Sequence, residues 1–443
     1  MGIGNHLTVA ANIPYRPELT VLDNGVSLLN APSASRNSGV FLIVRAGSRD
    51  ETAETSGLAH YLEHMFFKGT ERRPTTKIIS REIDRLGANT NAYTDTEEVA
   101  YFAEGPATAM LELADVICDM LSRPLFAAEE VERERNVVLQ ELSMRLADPD
   151  GWIWDRLGTV AFGGDQPMSW SAAGFPAVIE KATREQLTDY RRAFYAPASM
   201  CLVIAGGATL SQDQALELLA DIPRGKPRGR TKARWGLGDR YTANVRPVTA
   251  QEEPQLHMVF AVPGIPSTDP RRTQLSVMTH VLGGGMSSRL FQTVRERNGL
   301  VYSIYAHHAG FDDTGLFAIA TATRPKDARK ATSLAFKEFR KMASKRVAAD
   351  ELAAAKSAMI GRLLRSTETS IASARFYGSR WRAGLPLETP DDRADAIMRV
   401  TAEQVQSVAE VIAAGIGDVR MALVGPSDQG DELLSAIEST ARN

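Results

Sequence analysis

The sequence has few cysteines, no long apolar run and no excess of charge of one sign. Only two of its 443 residues are cysteines, Cys118 and Cys201, and they form no C-x-x-C motif. We therefore expect neither a disulfide framework nor a thiolate metal site. No apolar run approaches the roughly 20 residues of a membrane-spanning helix. A formal net charge of −3 gives no reason to expect nucleic acid or an anionic membrane as a partner.

The first residues, MGIGNHLTVAANIPYRPE, contain neither a basic stretch nor a continuous apolar segment. No secretory signal is visible in them. We therefore expect a cytoplasmic location, or a periplasmic one if a signal peptide has been removed. The hydrophobic fraction of 44% and the charged fraction of 24% are typical of globular proteins.

Length and an internal repeat predict two domains. A chain of 443 residues is too long for one ordinary hydrophobic core. The segments ATREQLTDY and MCLVIAGG recur, in the same order, as VTAEQVQSV and MALVGP, which indicates a duplicated unit. A stretch rich in Pro, Gly and basic residues separates the two copies and reads as a solvated connector. We predict an N-terminal catalytic domain (1–221), a linker (222–245) and a homologous C-terminal domain (246–443).

The segment HYLEHMFFKGT, residues 60–70, places two histidines and an acid in an apolar helix. On a helical wheel His60, Glu63 and His64 share one arc of about 100°. The opposite arc is apolar and contains Leu58, Ala59, Leu62, Met65 and Phe66. Unpartnered ionisable groups in such a helix would cost several kcal/mol. Histidines four residues apart can chelate one divalent ion while the acid between them reaches a water. The alternative is three polar side chains satisfied separately.

The helix predicted at EEVERERNVVLQELSMR, residues 129–145, offers a third ligand. Glu134 and Glu141 lie inside its apolar arc, which consists of Val131, Val137, Val138, Leu139 and Leu142. Carboxylates at core positions are expected to have a partner, although simple solvation is the alternative. Together the two helices predict a His, His, Glu zinc site with an open fourth position. In such a site Glu63 would take a proton from water, and the reaction would be peptide hydrolysis.

The segment GLAHYLEHMFFKGT closely resembles the active-site signature of the pitrilysin/insulinase family of inverzincin zinc metallopeptidases. The similarity is to its short-chain branch, which includes the mitochondrial processing peptidases. This resemblance implies one Zn²⁺ per chain, with Glu141 as the third ligand. It also implies that Glu134 is an auxiliary catalytic acid.

The resemblance extends along nearly the whole chain and implies roles for two further segments. In GANTNAYT, Asn91 and Ala92 would hold an extended peptide substrate along an edge strand. In RERNGLVY, Arg295 and Tyr302 would orient the substrate carbonyl and stabilise the oxyanion. The segment GGGMSSRLF, which precedes this pair, resembles the glycine-rich loop of the family.

The fold implied by the resemblance is α+β, with two homologous domains that form half of a clamshell. Each domain would be a mixed, mostly antiparallel sheet packed with helices. Dimerisation would close a chamber, and Arg295 and Tyr302 would then serve the zinc of the partner chain. A homodimer is expected, with a heterodimer of related subunits as the alternative. Neighbouring His307 and His308, on opposite faces of a predicted strand, are expected to be structural.

The function expected is that of a zinc-dependent endopeptidase that hydrolyses unfolded peptides or presequences inside the chamber. One alternative is a non-catalytic assembly subunit of a larger complex. Another is a binding module in which zinc is only structural.

Overall fold

The structure, a computed structural model, describes residues 16–225, 229–245 and 255–440. Residues 1–15, in which no secretory signal was visible, lie outside the described ranges, as does the predicted start of the C-terminal domain at residue 246. Within those ranges no helix combines the length and apolar character needed to cross a membrane. The compartment stays a prediction.

The described residues form two similar successions of strands and helices. The strands of the first half are β1 (Glu18–Val21), β2 (Ser27–Pro32), β3 (Asn37–Val44), β4 (Asn89–Thr94), β5 (Val99–Pro106) and β6 (Met200–Gly206). Its helices are α1 (Leu58–Phe66), α2 (Thr76–Arg85), α3 (Met110–Ser122), α4 (Ala128–Ala147), α5 (Pro149–Phe162), α6 (Pro176–Ile179), α7 (Arg184–Phe194) and α8 (Gln212–Leu218).

The second half repeats this pattern. Its strands are β7 (Tyr241–Val245), β8 (Leu256–Pro263), β9 (Val301–Gly310), β10 (Gly315–Thr323) and β11 (Arg420–Gly425). Its helices are α9 (Arg272–Gly283), α10 (Pro325–Ser344), α11 (Ala349–Arg365), α12 (Ser370–Arg382), α13 (Pro390–Met398), α14 (Ala402–Ala413) and α15 (Gly430–Ser439), with a π-helical turn at Phe291–Glu296.

The two sheets have the same topology. The first has the order β1-β2-β6-β3-β5-β4, and the second has the order β7-β11-β8-β10-β9. Apart from β1, each strand of one sheet has a counterpart at the same place in the other. Most neighbouring strands are antiparallel, and only β2–β6 and β7–β11 are parallel among the described pairs. This confirms the predicted fold class of two similar α+β units with mostly antiparallel sheets.

Local sequence explains how the first sheet begins. β1 and β2 form a hairpin with Gly25 at φ +92°, a conformation in which glycine avoids the strain of a side chain. Asn24 Oδ1 accepts a hydrogen bond from the Val26 amide at 3.1 Å and closes the turn. Nearly every residue of β3 is buried, because helices cover both of its faces.

Each sheet is covered on one face by a helix from the other half of the chain. α5 packs against β8 and β11 of the second sheet in one apolar cluster. In return α12 packs against β3 and β6 of the first sheet. Trp381 of α12 is buried there, and its indole Nε1 donates to Ser27 Oγ at 3.1 Å. This reciprocal exchange ties the two halves together and was not predicted from the sequence.

A network of charged side chains also joins the halves at the hairpin β4–β5. Arg49 donates to Glu97 at 2.5 Å and to Asp313 at 2.6 Å. Arg382 donates to Glu97 and to Asp312, both at 2.8 Å. Arg49 and Glu97 are each 3% exposed, so removing either one would take a close partner from a buried charge. The network therefore fixes the hairpin that carries β4 relative to the second half.

The predicted linker, residues 222–245, contacts both halves where it is described. Arg230 donates to Asp50 at 2.8 Å, and Trp235 packs edge-on against Phe162 with ring centroids 5.4 Å apart. Its last residues form β7 and belong to the second sheet. The prediction of a solvated connector is wrong for Arg230, which meets a buried carboxylate, while most of the other described residues before β7 are exposed, as predicted. The domain boundaries themselves stay a prediction.

Candidate metal centre

The helix that carries the histidine motif begins at a buried carboxylate. The Glu51 carboxylate accepts hydrogen bonds from the amides of Gly57 and Ala59, both at 2.8 Å. Burial raises the pKa of Glu51 well above its ordinary range, although the two amide hydrogen bonds oppose this. Gly57, at φ +98°, sits against Gly174, so a side chain there would clash with backbone. Glu51 and Gly57 thus fix where α1 starts and how its histidines point.

His60, His64 and Glu141 converge at one place. His60 Nε2 and His64 Nε2 are 3.2 Å apart. Glu141 Oε2 lies 3.5 Å from His60 Nε2 and 3.4 Å from His64 Nε2. Within the described ranges this is the only group of three or more metal-ligating side chains whose donor atoms lie close enough to hold one ion. The structure therefore brings together the three residues predicted as ligands.

The donor atoms fit a zinc ion. A tetrahedral zinc with bonds of about 2.0–2.1 Å holds neighbouring ligand atoms about 3.3 Å apart, and the three separations are 3.2, 3.4 and 3.5 Å. Burial, with the charges of His64 and Arg145, lowers the pKa of His60 to about 4. The imidazole is then neutral at pH 7, which is the form that binds metal. His60 Nδ1 is buried and has no hydrogen-bond partner in the described part of the chain.

Glu134 lies behind His64. Its carboxylate is 2.9 Å from His64 Nδ1 and 2.6 Å from Lys68 Nζ. Burial disfavours the Glu134 anion, but the hydrogen bonds from His64 and Lys68 prevail and lower its pKa. For His64, burial opposes protonation, while the hydrogen bond to Glu134 and nearby carboxylates raise its pKa. A proton held on Nδ1 leaves the Nε2 lone pair facing His60 and Glu141.

Glu63, the predicted proton acceptor, is held by the edge strand. The Thr94 hydroxyl, on β4, donates a short hydrogen bond to Glu63 Oε2. Burial raises the pKa of Glu63, while the Thr94 hydroxyl and His64 act in the opposite direction. A partly buried carboxylate with a raised pKa is suited to accept and return a proton.

A cavity of about 460 Å³ opens beside His60. Thr94 and Trp154 from the first half line it together with His307 and Phe311 from the second half. The candidate centre therefore faces a space that both halves enclose. His307 packs edge-on against Trp154 with ring centroids 5.8 Å apart. This contact supports the predicted structural role of His307.

The predicted substrate strand, β4, is an edge of the first sheet. Asn91 is exposed and Ala92 partly buried, and they pair with Phe102 and Tyr101 of β5. Asn91 Oδ1 accepts a hydrogen bond from the Ala92 amide at 2.8 Å. The opposite side of β4 has no neighbouring strand among the described residues. Its free backbone groups could pair with an extended chain.

Arg295 and Tyr302 lie together, but not in the cluster formed by His60, His64 and Glu141. The Arg295 guanidinium lies over the Tyr302 ring at 5.0 Å, and the Tyr302 side chain is 78% exposed. Tyr302 is five residues from His307 along β9, or about 17 Å in an extended strand. The pair thus lies near the start of β9, while the end of β9 lines the cavity beside His60.

Three supporting residues were not predicted: Glu51, Lys68 and Thr94. Lys68 follows His64 by one helical turn, and that spacing could have indicated an acid shared between them. Glu51 and Thr94 reach the centre through a loop and a sheet edge, so no local spacing signals them. Two expectations within α4 are wrong. Val137 is 39% exposed and does not belong to the buried stripe, and the Glu141 side chain is 47% exposed and does not occupy a core position.

The fold and the site define the class: a duplicated α+β protein with an H-x-x-E-H helix and a candidate three-ligand metal centre. Residues 26–166 match the family model described as insulinase (peptidase family M16), and residues 181–359 match that of the peptidase M16 inactive domain. An uncharacterized zinc protease of Streptomyces coelicolor is 31% identical over 402 residues, covering 88% of this chain and 86% of the relative. The chain therefore belongs to peptidase family M16, as its resemblance implied.

Other relatives agree. An uncharacterized zinc protease of Bacillus subtilis is 28% identical over 408 residues, covering 91% of this chain and 97% of the relative. Among solved structures, the peptidase M16 inactive domain from Pseudomonas fluorescens has a TM-score of 0.82 at 21% identity, covering 93% of this chain and 98% of that one. A protease from Helicobacter pylori has a TM-score of 0.81 at 18% identity, covering 92% and 99%. Family membership and the names of the relatives indicate a zinc protease.

Proposed function

We propose that the protein is a zinc-dependent endopeptidase that hydrolyses unfolded peptides or presequences. His60, His64 and Glu141 would hold one zinc ion per chain. The observation that carries this proposal is the spacing of their donor atoms, 3.2–3.5 Å, around a point that borders a 460 Å³ cavity. Glu134 is then a positioning residue, since it contacts His64 and Lys68.

The chemistry divides between the ion and the side chains. When bound, zinc supplies Lewis acidity, which acidifies water and polarises a carbonyl oxygen. Glu63 takes the proton of the water that attacks the carbonyl carbon. As the C–N bond breaks, Glu63 gives that proton to the departing amine. The Thr94 hydrogen bond keeps the carboxylate aimed at this position.

The exposed edge of β4 would bind the substrate as an added strand. Backbone groups of Asn91 and Ala92 would pair with the extended peptide, which explains recognition of unfolded chains with little dependence on sequence. Arg295 and Tyr302 would stabilise the oxyanion of a partner chain's site, across a chamber closed by a homodimer or by a heterodimer with a related subunit.

The test of the reaction is a Glu63→Gln variant, assayed on an unstructured fluorogenic peptide. The amide keeps the size of the side chain but cannot accept the proton. We expect retained zinc and turnover reduced at least about a hundredfold, within the range of general-base contributions. A Glu112→Gln variant, at an exposed position of α3, is the matched control. Unchanged turnover in Glu63→Gln would remove Glu63 as the base, and a zinc-loaded wild type without any turnover would favour the non-catalytic assembly subunit.

The arrangement of the dimer has a separate test. A Glu63→Gln chain is mixed with a Tyr302→Phe chain after each alone has been shown to be impaired. If Tyr302 serves the partner's site, one of the two sites in the mixed dimer carries neither defect, and activity returns. If Tyr302 serves its own site, every site keeps a defect and mixing restores nothing.

A further inference from the structure

The second half contains a cavity of about 420 Å³ between α9, α11 and β9. Its polar lining includes Ser276, Thr279, His280, His308, Arg362 and Arg393. In the part of the chain that the structure describes, no acidic side chain belongs to that lining. A cavity lined by two arginines, three histidines and no described acid differs in charge from the candidate metal centre of the first half.

This cavity is the structural counterpart of that centre. α9 packs against β9 and α11, as α1 packs against β4 and α4. On α9, Ser276 and Thr279 precede His280 by four residues and by one residue. On α1, His60 and Glu63 precede His64 by the same two spacings. α4 and α11 both follow an alanine N-cap, with AEEV at the start of one and ADEL at the start of the other.

Aligning these two helix starts brings Arg362 to the position of Glu141, since each is the fourteenth residue of its helix. Serine, threonine, histidine and arginine in the second half thus occupy the places of His60, Glu63, His64 and Glu141. The carboxylate of the metal centre is replaced by a guanidinium. Such a set repels a cation and favours an anion.

In both halves a side chain of the edge strand contacts a polar side chain of the neighbouring helix. In the first half Thr94 of β4 bonds to Glu63 of α1. In the second half His308 Nδ1 of β9 is 3.2 Å from Thr279 Oγ1 of α9, and its Nε2 is 3.3 Å from Ser276 Oγ. The cavity is therefore organised by hydrogen bonds in the same way as the metal centre.

Both arginines of the lining donate to neutral oxygen atoms. Arg362 donates to the Gly284 carbonyl at 3.0 Å, and Arg393 donates to Thr273 Oγ1 at 2.5 Å. In the part of the chain that the structure describes, neither forms an ion pair with an acid. Arg380 lies close enough to Arg393 that, after burial, its charge helps to lower the pKa of Arg393. Arginines without an ion-pair partner beside an open pocket can bind an oxyanion.

We propose that this cavity binds a carboxylate of the peptide substrate, either an acidic side chain or the chain terminus. The inference rests on the proposed peptidase function. Two observations favour an organic carboxylate: apolar side chains of Met359, Leu363 and Ile397 complete the wall, and the cavity adjoins a second edge strand. His307 lines both this cavity and the one beside His60, so the two cavities adjoin at β9, and a peptide bound along that edge strand would pass both.

The test measures binding rather than turnover. Fluorescent unstructured peptides are prepared with Glu or Gln at interior positions and with a free or an amidated terminus. Their dissociation constants are measured by anisotropy on full-length Glu63→Gln protein, in which turnover is expected to be too slow to interfere. We expect one carboxylate to tighten binding about tenfold or more, as a charge-assisted hydrogen bond does. Comparing the interior and terminal series identifies the source of the carboxylate.

Arg362→Gln should abolish this preference, and Arg365→Gln should leave it intact. Arg365 is exposed on the same helix and does not line the cavity, so it is a matched control. Equal carboxylate preference in the two variants, or none in the parent protein, would overturn the inference. Failure of the peptidase proposal would look different: wild type would cleave no peptide, while the preference for a carboxylate in binding would persist.

Discussion

The hydrogen bond between Thr94 and Glu63 offers a test of how the candidate centre is held. Thr94→Val keeps the size and the β-branch of the side chain and removes only the hydroxyl that donates to Glu63 Oε2. The carboxylate is partly buried, and its pKa is already raised by burial. Without its donor the carboxylate loses a fixed orientation and part of the stabilisation of its charged form.

The magnitude follows from the strength of a hydrogen bond to a charged group, about 1.5–3 kcal/mol. At about 1.4 kcal/mol per factor of ten, we expect kcat to fall about 10–100-fold. KM and zinc content should change little, because the substrate strand and the predicted ligands remain in place.

Thr90→Val is the matched control for this prediction. Thr90 lies on the same strand and the same face, and its hydroxyl donates to the Phe102 carbonyl at 2.9 Å, away from Glu63. The assay is steady-state cleavage of a fluorogenic peptide by zinc-loaded protein. Equal kcat values for the two variants would refute the reasoning that Thr94 positions the base.

Further outcomes follow from other contacts. Glu134→Ala should weaken zinc binding about 10–100-fold in a chelator competition, because His64 loses the partner that orients it. Trp381→Ala should lower the free energy of unfolding by about 3–5 kcal/mol in urea titrations, since it empties the contact between α12 and the first sheet. His308 is partly buried and its pKa is lowered to about 4 by desolvation, so only the unfolded chain is protonated there near pH 5. Wild type should therefore lose about 2 kcal/mol between pH 7.5 and pH 5 relative to His308→Gln.

The histidine motif was predictable because its chemistry is local. His60 and His64 lie one turn apart on a helix that has no solvated face, and this alone favours a metal. Glu141 is far along the chain, and helical periodicity only marked it as an acid within an apolar stripe. The resemblance to a known family was needed to join the two helices at one ion.

Other features depend on tertiary structure and have no local signal. The sequences of α5 and α12 do not say which sheet each helix covers, so the exchange between halves was missed. Arg230 of the predicted linker looked solvated because Asp50, its hydrogen-bond partner, is remote in sequence. The cavity proposed to favour an anion has no local signal either. It corresponds to the metal centre only when α9 and α11 are compared with α1 and α4, because the residue types at the matching positions differ.

Zinc content measured by inductively coupled plasma mass spectrometry, in wild type and in a Glu141→Ala variant, tests the central claim most directly. The control is Gln140→Ala, an exposed neighbour on the same helix. If two histidines of α1 and the glutamate of α4 share one ion, wild type and the control should retain about one zinc per chain after dialysis, and Glu141→Ala should retain far less. Zinc content in Glu141→Ala equal to that of the control would contradict the account.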